Sequence, residues 1–404
     1  MNERKWLRKE GPKWVEQGYI QKEQLEGIYS MYEKKRNNLL PILASILIGL
    51  GILTFIASNW GQMSDWFRLT LIWVAIAGFH LTGGHYIQKG SEHLGSALIG
   101  IGTITFGAGI FLVAQMFHIV SYNATAFILW TASAILTYFV FPNRYFYLLS
   151  LFIGTSGILY SFISFQAFSH VLAFLVIVGI GYLTFKEDSR LLYYLYSAAI
   201  IITSITFIVV YEYSYFWMTI VFLILYGINE LMKSEKAHHS FKDIGILGIL
   251  AVTFIHVFIM EEYLRYNDLL VESVPYLIVL FVLVSLIGMM KKMKSSGGWT
   301  DLILFTPLYL LGETADVLYL LLAFGYSLYV LIQGYQREEP SMINRGTLLF
   351  LISTLVAYIQ LAWAFLPKSL FFLAGGILLF LLSWYLEKRR RVMIHNAKGG
   401  RHDA

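Results

Sequence analysis

No cysteine occurs anywhere in the 404 residues. That excludes disulfides, thiolate metal sites, cysteine nucleophiles and cysteine-linked lipid anchors. Charge is also scarce: charged residues make up 14% of the chain, against roughly 25% in a soluble domain. Hydrophobic residues make up 57% and the mean hydropathy is +0.64. A soluble fold of this length could not cover so much apolar surface, so lipid is expected to solvate most of it. Enzyme signatures are missing too. There is no Gly-x-x-x-x-Gly-Lys-Ser/Thr loop, no His-Glu-x-x-His and no Gly-x-Ser-x-Gly, and no catalytic residue, cofactor or metal ion is expected. No cleavable leader is expected, because the chain starts polar and its first apolar run is long enough to span by itself.

What is present is a succession of apolar runs of roughly 20 residues, the length that crosses a bilayer as a helix. They fall at 39–58, 68–87, 94–114, 122–141, 144–163, 168–185, 191–211, 213–232, 243–260, 273–290, 300–312, 315–333, 345–366 and 369–387. The fold expected is therefore all-α, a polytopic transmembrane bundle of about 14 spans. The run at 300–312 is short and carries Pro307, which predicts a broken or re-entrant piece. The connections at 142–144 and 164–167 are tight enough to make their flanking spans antiparallel neighbours.

Charge orients this drawing. With the N-terminus inside, all but Arg68, Arg265 and Lys368 of the 30 Lys and Arg residues fall on one side. Asp65, Glu212, Glu261, Glu262, Asp268, Glu272, Glu313 and Asp316 fall on the other. Positive charge is retained in the cytoplasm, so both termini are expected there, in a multi-pass protein of the cell membrane. The formal charge of +5 reflects this bias and is not a nucleic-acid footprint.

Four regions follow. Residues 1–38 read as a polar amphipathic helical module, with Leu25, Ile28, Tyr29 and Tyr32 at helical spacing. A preceding helical piece carries Trp6, Leu7, Trp14 and Val15, interrupted by Gly11-Pro12, with a turn at Gly18. The basic and aromatic composition favours a module lying on membrane lipid over one docking a protein partner. Residues 39–141 form a four-span domain, 142–387 hold the further spans, and 388–404 are a basic tail.

The four-span domain contains a parallel repeat. Residues 43–55, LASILIGLGILTF, and 94–106, LGSALIGIGTITF, agree at eight of thirteen positions. Ser45/Gly49 and Ser96/Gly100 each place two small residues four apart on one helix face. In lipid such a face lets backbones approach closely, so a tight helix seam is the simpler reading and a substrate path the sharper one.

The stretch from Gly49 to Asn59-Trp60, with Arg68 opening the next span, carries a resemblance, as do Gly107-Ala-Gly109 and Ala114-Gln115-Met-Phe-His118. With the leader from Gly18 to Gln24 they resemble the predicted membrane proteins of domain-of-unknown-function family twenty-one fifty-seven, over roughly residues 5–145. Met116-Phe117 after Gln115 departs from the family pattern. The resemblance implies a polytopic bacterial membrane protein and no established activity.

The repeat places Asn59-Trp60 and Gln115 to His118 at corresponding outer ends of two spans. Asn59, Trp60, Arg68, Gln115 and His118 are therefore the candidates for a ligand site or the mouth of a path. Interface anchoring by Trp and helix capping by Asp65 and Asn123 is the simpler account of this region. Inside the spans, His80 and His256 are each expected to bond a backbone carbonyl, while His85, Glu230 and Asp301 sit near span ends where they can reach water. His238-His239 and the acidic stretch 261–272 are read as solvated loops. The function expected is a non-catalytic cell-envelope scaffold or sensor; the alternative is a transporter or translocator of a small molecule or lipid.

Overall fold

The computed structural model describes residues 3–22, 39–59, 63–119, 123–232, 234–266, 269–294 and 299–362, with positions 24, 25, 28, 372, 373, 375–384 and 388. Every regular element among them is helical, and none is a strand. The helices are α1 (Glu3–Glu16), α2 (Leu39–Asn59), α3 (Asp65–Gln88), α4 (Glu92–Met116), α5 (Thr125–Val140), α6 (Arg144–Phe165), α7 (His170–Glu187), α8 (Arg190–Val210), α9 (Trp217–Leu231), α10 (Glu235–Tyr266), α11 (Leu269–Lys294), α12 (Ala315–Gln336) and α13 (Pro340–Ala362). Among the described residues, nine helices are long and apolar enough to cross a membrane: α3, α4, α6, α7, α8, 235–258 of α10, 274–294 of α11, α12 and 340–360 of α13. Their exposed surface is rich in large apolar side chains such as Trp73, Leu81, Phe152 and Phe281, as lipid-facing surface requires.

Two expectations need correction, at Gly11-Pro12 and at the supposed loops flanking 240–260, and the break expected at Pro307 is present. Gly11-Pro12 does not interrupt the first helix: α1 runs through it. Pro12 removes one hydrogen-bond donor from a short polar helix, and water can serve the freed carbonyl. The supposed loops at His238-His239 and 261–266 are the two ends of α10, which at 32 residues outruns its apolar stretch. The run at 300–312 is not one helix. It forms two 3₁₀ pieces, Trp299–Phe305 and Leu308–Thr314, parted at Thr306-Pro307, with Gly312 at φ 69° inside the second. Proline supplies the break that its position predicts.

The chain divides into two compact units, residues 1–121 with 132–149, and residues 122–131 with 150–404. In the first, α3 and α4 form a close hairpin. A Cβ added to Gly83 would lie 2.8 Å from the Gly95 carbonyl, and one added to Gly95 would lie 2.6 Å from the Gly83 carbonyl. The two backbones touch there, as small residues permit in lipid. The connection is made by Gly90 at φ 81°: its N–H bonds the Ile87 carbonyl, and the Ser91 N–H bonds the Tyr86 carbonyl. This pair of bonds ends a helix with its C′ residue in the left-handed region, where glycine carries no Cβ penalty. Gly18, at φ 76°, ends α1 in the same way, as its position predicts.

In the second unit α6 and α7 pack antiparallel, with Gly157 against Leu172 and Gly154 against Val176. A π-helical turn at Leu175–Ile180 lies inside α7, and the Tyr196 hydroxyl donates to the Ile177 carbonyl within it. The hairpin α9–α10 closes on Gly245, whose Cβ would meet the Tyr226 backbone nitrogen at 2.9 Å. The hairpin α12–α13 closes on Gly334 and Gly346, each facing backbone of the other helix. These seams hold α9 to α13 tightly enough to bury Tyr226, Phe305, Tyr309 and Tyr319.

Candidate functional site

The residues expected to form a site lie in the first unit. Asn59 ends α2; its side chain and Trp60 lie outside the described residues. Arg68, in the first turn of α3, donates from Nη1 to Asp65 Oδ1 at 3.2 Å. Asp65 thus acts through this pair and forms no side-chain cap, whereas Asn123 does cap α5 by accepting the Thr125 N–H at 3.0 Å. Ile72 packs with Met116, which brings Arg68 and Gln115 to the same end of the α3–α4 hairpin, although no hydrogen bond joins them. The Gln115 side chain is exposed. Its carbonyl accepts the His118 N–H, while the Ile119 N–H bonds Ala114, so His118 at φ 53° is the C′ residue ending α4. A chain-terminating role accounts for its place without a ligand.

The small-residue seam is occupied by side chains. A Cβ on Gly100 would strike Tyr145, one on Gly102 would strike the His80 ring, and Ser96 accepts from Asn143 Nδ2 at 3.4 Å. His80 Nδ1 lies 2.8 Å from the Ile76 carbonyl, the backbone bond expected of it. The groove of about 780 Å³ between α2 and α3 is lined by Ile48, Phe55, Val74 and their apolar neighbours and faces lipid.

The charged cavity is in the second unit. It measures about 870 Å³ and is lined from α8, α9, α10, α11, the first 3₁₀ piece, α12 and α13. Glu230 and Lys291 pair at its inner wall, Nζ to Oε1 at 2.6 Å, with side chains 3% and 2% exposed. Lys294 donates to the Glu230 carbonyl, and Lys291 lies 5.1 Å from the centre of the Tyr226 ring. Beside this pair Asp301 accepts from three groups: the Tyr226 hydroxyl at 3.1 Å, the Tyr326 hydroxyl at 3.0 Å and Lys242 at 3.1 Å. Toward the mouth Asp243 accepts from Arg345 at 2.9 and 3.4 Å, Arg190 at 3.4 Å and Tyr194 at 2.9 Å. Glu230 and Asp301 are thus buried and partnered; neither is bathed in water as its place near a span end suggested. Four helices close over them.

Residues 12–147 match the family model of predicted membrane proteins, DUF2157. The match covers about a third of the chain and lies almost wholly in the first unit. Together with the apolar helices it supports a membrane location. No curated protein and no solved structure matches the chain. The charged cavity lies entirely outside the DUF2157 segment, so whatever it does is not carried by that match.

Two further features of the second unit, also beyond the DUF2157 segment, escaped the sequence. Neither ring nitrogen of His256 has a hydrogen-bond partner among the described residues; the imidazole packs against Tyr215, Phe216 and Tyr319 at centroid distances of 5.4, 5.2 and 4.4 Å. An aromatic cluster has replaced the carbonyl expected there. Asp188, between α7 and α8, accepts from Ser234, from Tyr193 at 3.1 Å and from Lys236 at 3.2 Å. The Ser234 bond, with Lys236 and Tyr193, outweighs burial and holds its carboxyl below the usual range. A carboxylate with a depressed folded value stabilises the link above its unfolded value and loses it as pH falls through the folded one. Amide protection around 188–190 and 234–237 is therefore expected to stay constant from neutral pH down to the ordinary carboxylate range and to fall below it. Asp188→Asn should show the low protection already at neutral pH, read by hydrogen exchange normalised for intrinsic rates.

Proposed function

We propose that this chain is a non-catalytic membrane sensor whose second unit receives a small charged ligand in the cavity between α10, α12 and α13. The observation that carries this reading is the buried Glu230–Lys291 pair beside Asp301 at the wall of an open cavity. A buried ion pair is weak as a stabiliser, and a plain scaffold would be held as well by apolar side chains. Holding ionisable groups out of water is costly, so a buried pair kept at a cavity wall points to a role beyond packing. We further propose about fourteen crossings with both termini on the cytoplasmic side, a duplicated hairpin within 39–141, and residues 1–38 lying on membrane lipid or docking a partner.

The test uses the full chain in detergent, screened by thermal shift against small charged solutes of each sign and zwitterions, and against short-chain phospholipids. At least one class should raise the unfolding midpoint of the wild type and leave Glu230→Leu/Lys291→Met unmoved. Equal shifts in both, or none in either, would leave the scaffold reading in its place.

A specific observation favours transport as a second reading. The 3₁₀ pieces of residues 299–314 form a broken segment carrying Asp301, and discontinuous helices build substrate sites in many transporters. Flux of the stabilising solute into proteoliposomes would support it; binding without flux would support the sensor.

A further inference from the structure

We propose that the charged cavity binds the phosphate headgroup of an anionic phospholipid, which enters sideways between α10 and α13. This rests on the reading of the cavity as a ligand site and names its ligand class.

The first argument is the order of side chains along the two helices. Both α10 and α13 begin at the charged end of the cavity, α10 at Glu235 and α13 at Pro340. Near those ends each presents charge to the cavity, Lys242 and Asp243 on α10 after His239, and Arg345 on α13 after Met342. One turn further on each presents a leucine to the same cavity, Leu247 and Leu348. Those leucines are 57% and 58% exposed, so the lining continues onto the outer apolar surface. The helices themselves touch little, and α12 packs against both and forms the floor. A cavity with a charged base and an apolar side opening matches a molecule with a charged head and an apolar tail. A wholly polar solute would leave Leu247, Leu348 and Leu349 facing water beside it.

The second argument is charge. Arg190, Lys242, Lys291, Arg337 and Arg345 line the cavity against Glu230, Asp243, Asp301 and Glu339, an excess of one positive charge. The excess is concentrated at the mouth, where Arg190 and Arg345 share the single carboxylate of Asp243. Both arginine side chains are more than half exposed and can turn toward a phosphate diester, which the planar guanidinium fork binds bidentately. Basic pockets between membrane helices are suited to anionic lipid headgroups for this reason. The inner pairs, Glu230–Lys291 and Lys242–Asp301, are already balanced and set the cavity's depth.

Native mass spectrometry of the detergent-solubilised full chain tests this. Phosphatidylglycerol is titrated against phosphatidylcholine, and glycerol phosphate is added alone in a separate arm. We expect phosphatidylglycerol to be retained in preference, and Arg345→Gln to weaken its retention about tenfold, the loss of one charge-assisted bidentate contact. Asp243→Asn should strengthen retention, since it removes the carboxylate that competes for both arginines. That gain is what a purely structural role for Asp243 would not produce. Thermal midpoints measured without added phosphatidylglycerol establish that both variants fold. Retention of phosphatidylglycerol equal in wild type and Arg345→Gln would overturn the proposal, as would Asp243→Asn weakening it. Glycerol phosphate binding as tightly as the lipid would overturn lateral entry. If the cavity fails with phosphatidylglycerol while another charged class stabilises the wild type but not Glu230→Leu/Lys291→Met, the lipid assignment falls and the ligand site stands. If no class does, both fall.

Discussion

Lys291→Met lowers the stability of the second unit by about 3–5 kcal/mol, the expected penalty of leaving one member of a buried ion pair alone. Glu230 loses the ammonium that lies 2.6 Å from its carboxylate. Lys294 donates to its backbone carbonyl and not to its carboxylate, and Asn229 Nδ2 reaches Oε1 at 3.4 Å as a neutral donor only. Glu230→Leu should cost less than Lys291→Met. The ammonium left behind lies 5.1 Å from the Tyr226 ring centre, where the π face gives partial compensation, and its flexible stem can carry the charge toward the cavity. The double variant Glu230→Leu/Lys291→Met should regain most of the loss, because apolar replacement of a whole buried pair is often neutral or better. Thermal midpoints and monodispersity in one detergent supply the double-mutant cycle. A single Lys291→Met variant within about 1 kcal/mol of wild type would mean that water reaches the pair, as it does for exposed pairs.

Helix existence was readable from this chain, and side-chain partnership was not. Apolar content summed over about 20 residues is insensitive to any single position, which is why α6, α7, α8 and α12 lie within a few residues of the runs that predicted them. Breaks written by backbone chemistry were readable as well: Pro307 parts the 3₁₀ pieces, and Gly18 ends α1. Where a carbonyl can turn to water the same logic misleads, as at Gly11-Pro12. Glycine identity alone does not say what a glycine does. Gly51 and Gly78 have open space around them, whereas Gly83 and Gly95 carry a backbone contact. The cavity was hidden for a different reason. Glu230 meets Lys291, Asp301 meets Tyr226 and Asp243 meets Arg345 across gaps of 61, 75 and 102 residues. Each partner taken alone looks like an ordinary charge at the end of a span. Only the closure of α9, α10, α11 and α12 around them turns scattered charges into a site. His118 shows the converse, a residue chosen for its chemistry that serves to reverse the chain.

Asp301→Leu is expected to cost about 2–4 kcal/mol, since a buried acceptor of three donors is lost and buried hydroxyls are left unsatisfied. The three donors do not suffer equally. Lys242 is about one third exposed and can turn to solvent, so its share is small. The Tyr226 and Tyr326 hydroxyls are buried and cannot. Asp301→Asn keeps the shape and one acceptor oxygen, which satisfies one tyrosine but places an N–H₂ against the other; its loss should fall between that of Asp301→Leu and the wild type. Tyr226→Phe and Tyr326→Phe each remove a single donor and should cost about 1 kcal/mol, with Asp301 keeping its remaining partners. Position makes the effect local as well as large. Asp301 lies in the first turn of the 3₁₀ piece Trp299–Phe305 and is pinned to α9 by Tyr226 and to α12 by Tyr326. A 3₁₀ segment has poorer hydrogen-bond geometry than an α-helix and relies more on such side-chain ties. Hydrogen exchange in the Asp301→Leu variant should therefore quicken across 299–314 well before it does in α12. Uniform quickening in both would show that Asp301 secures the whole unit and not the broken segment in particular, and unchanged exchange across 299–314 would show that its apolar side chains, Leu304 and Phe305, hold it without the carboxylate.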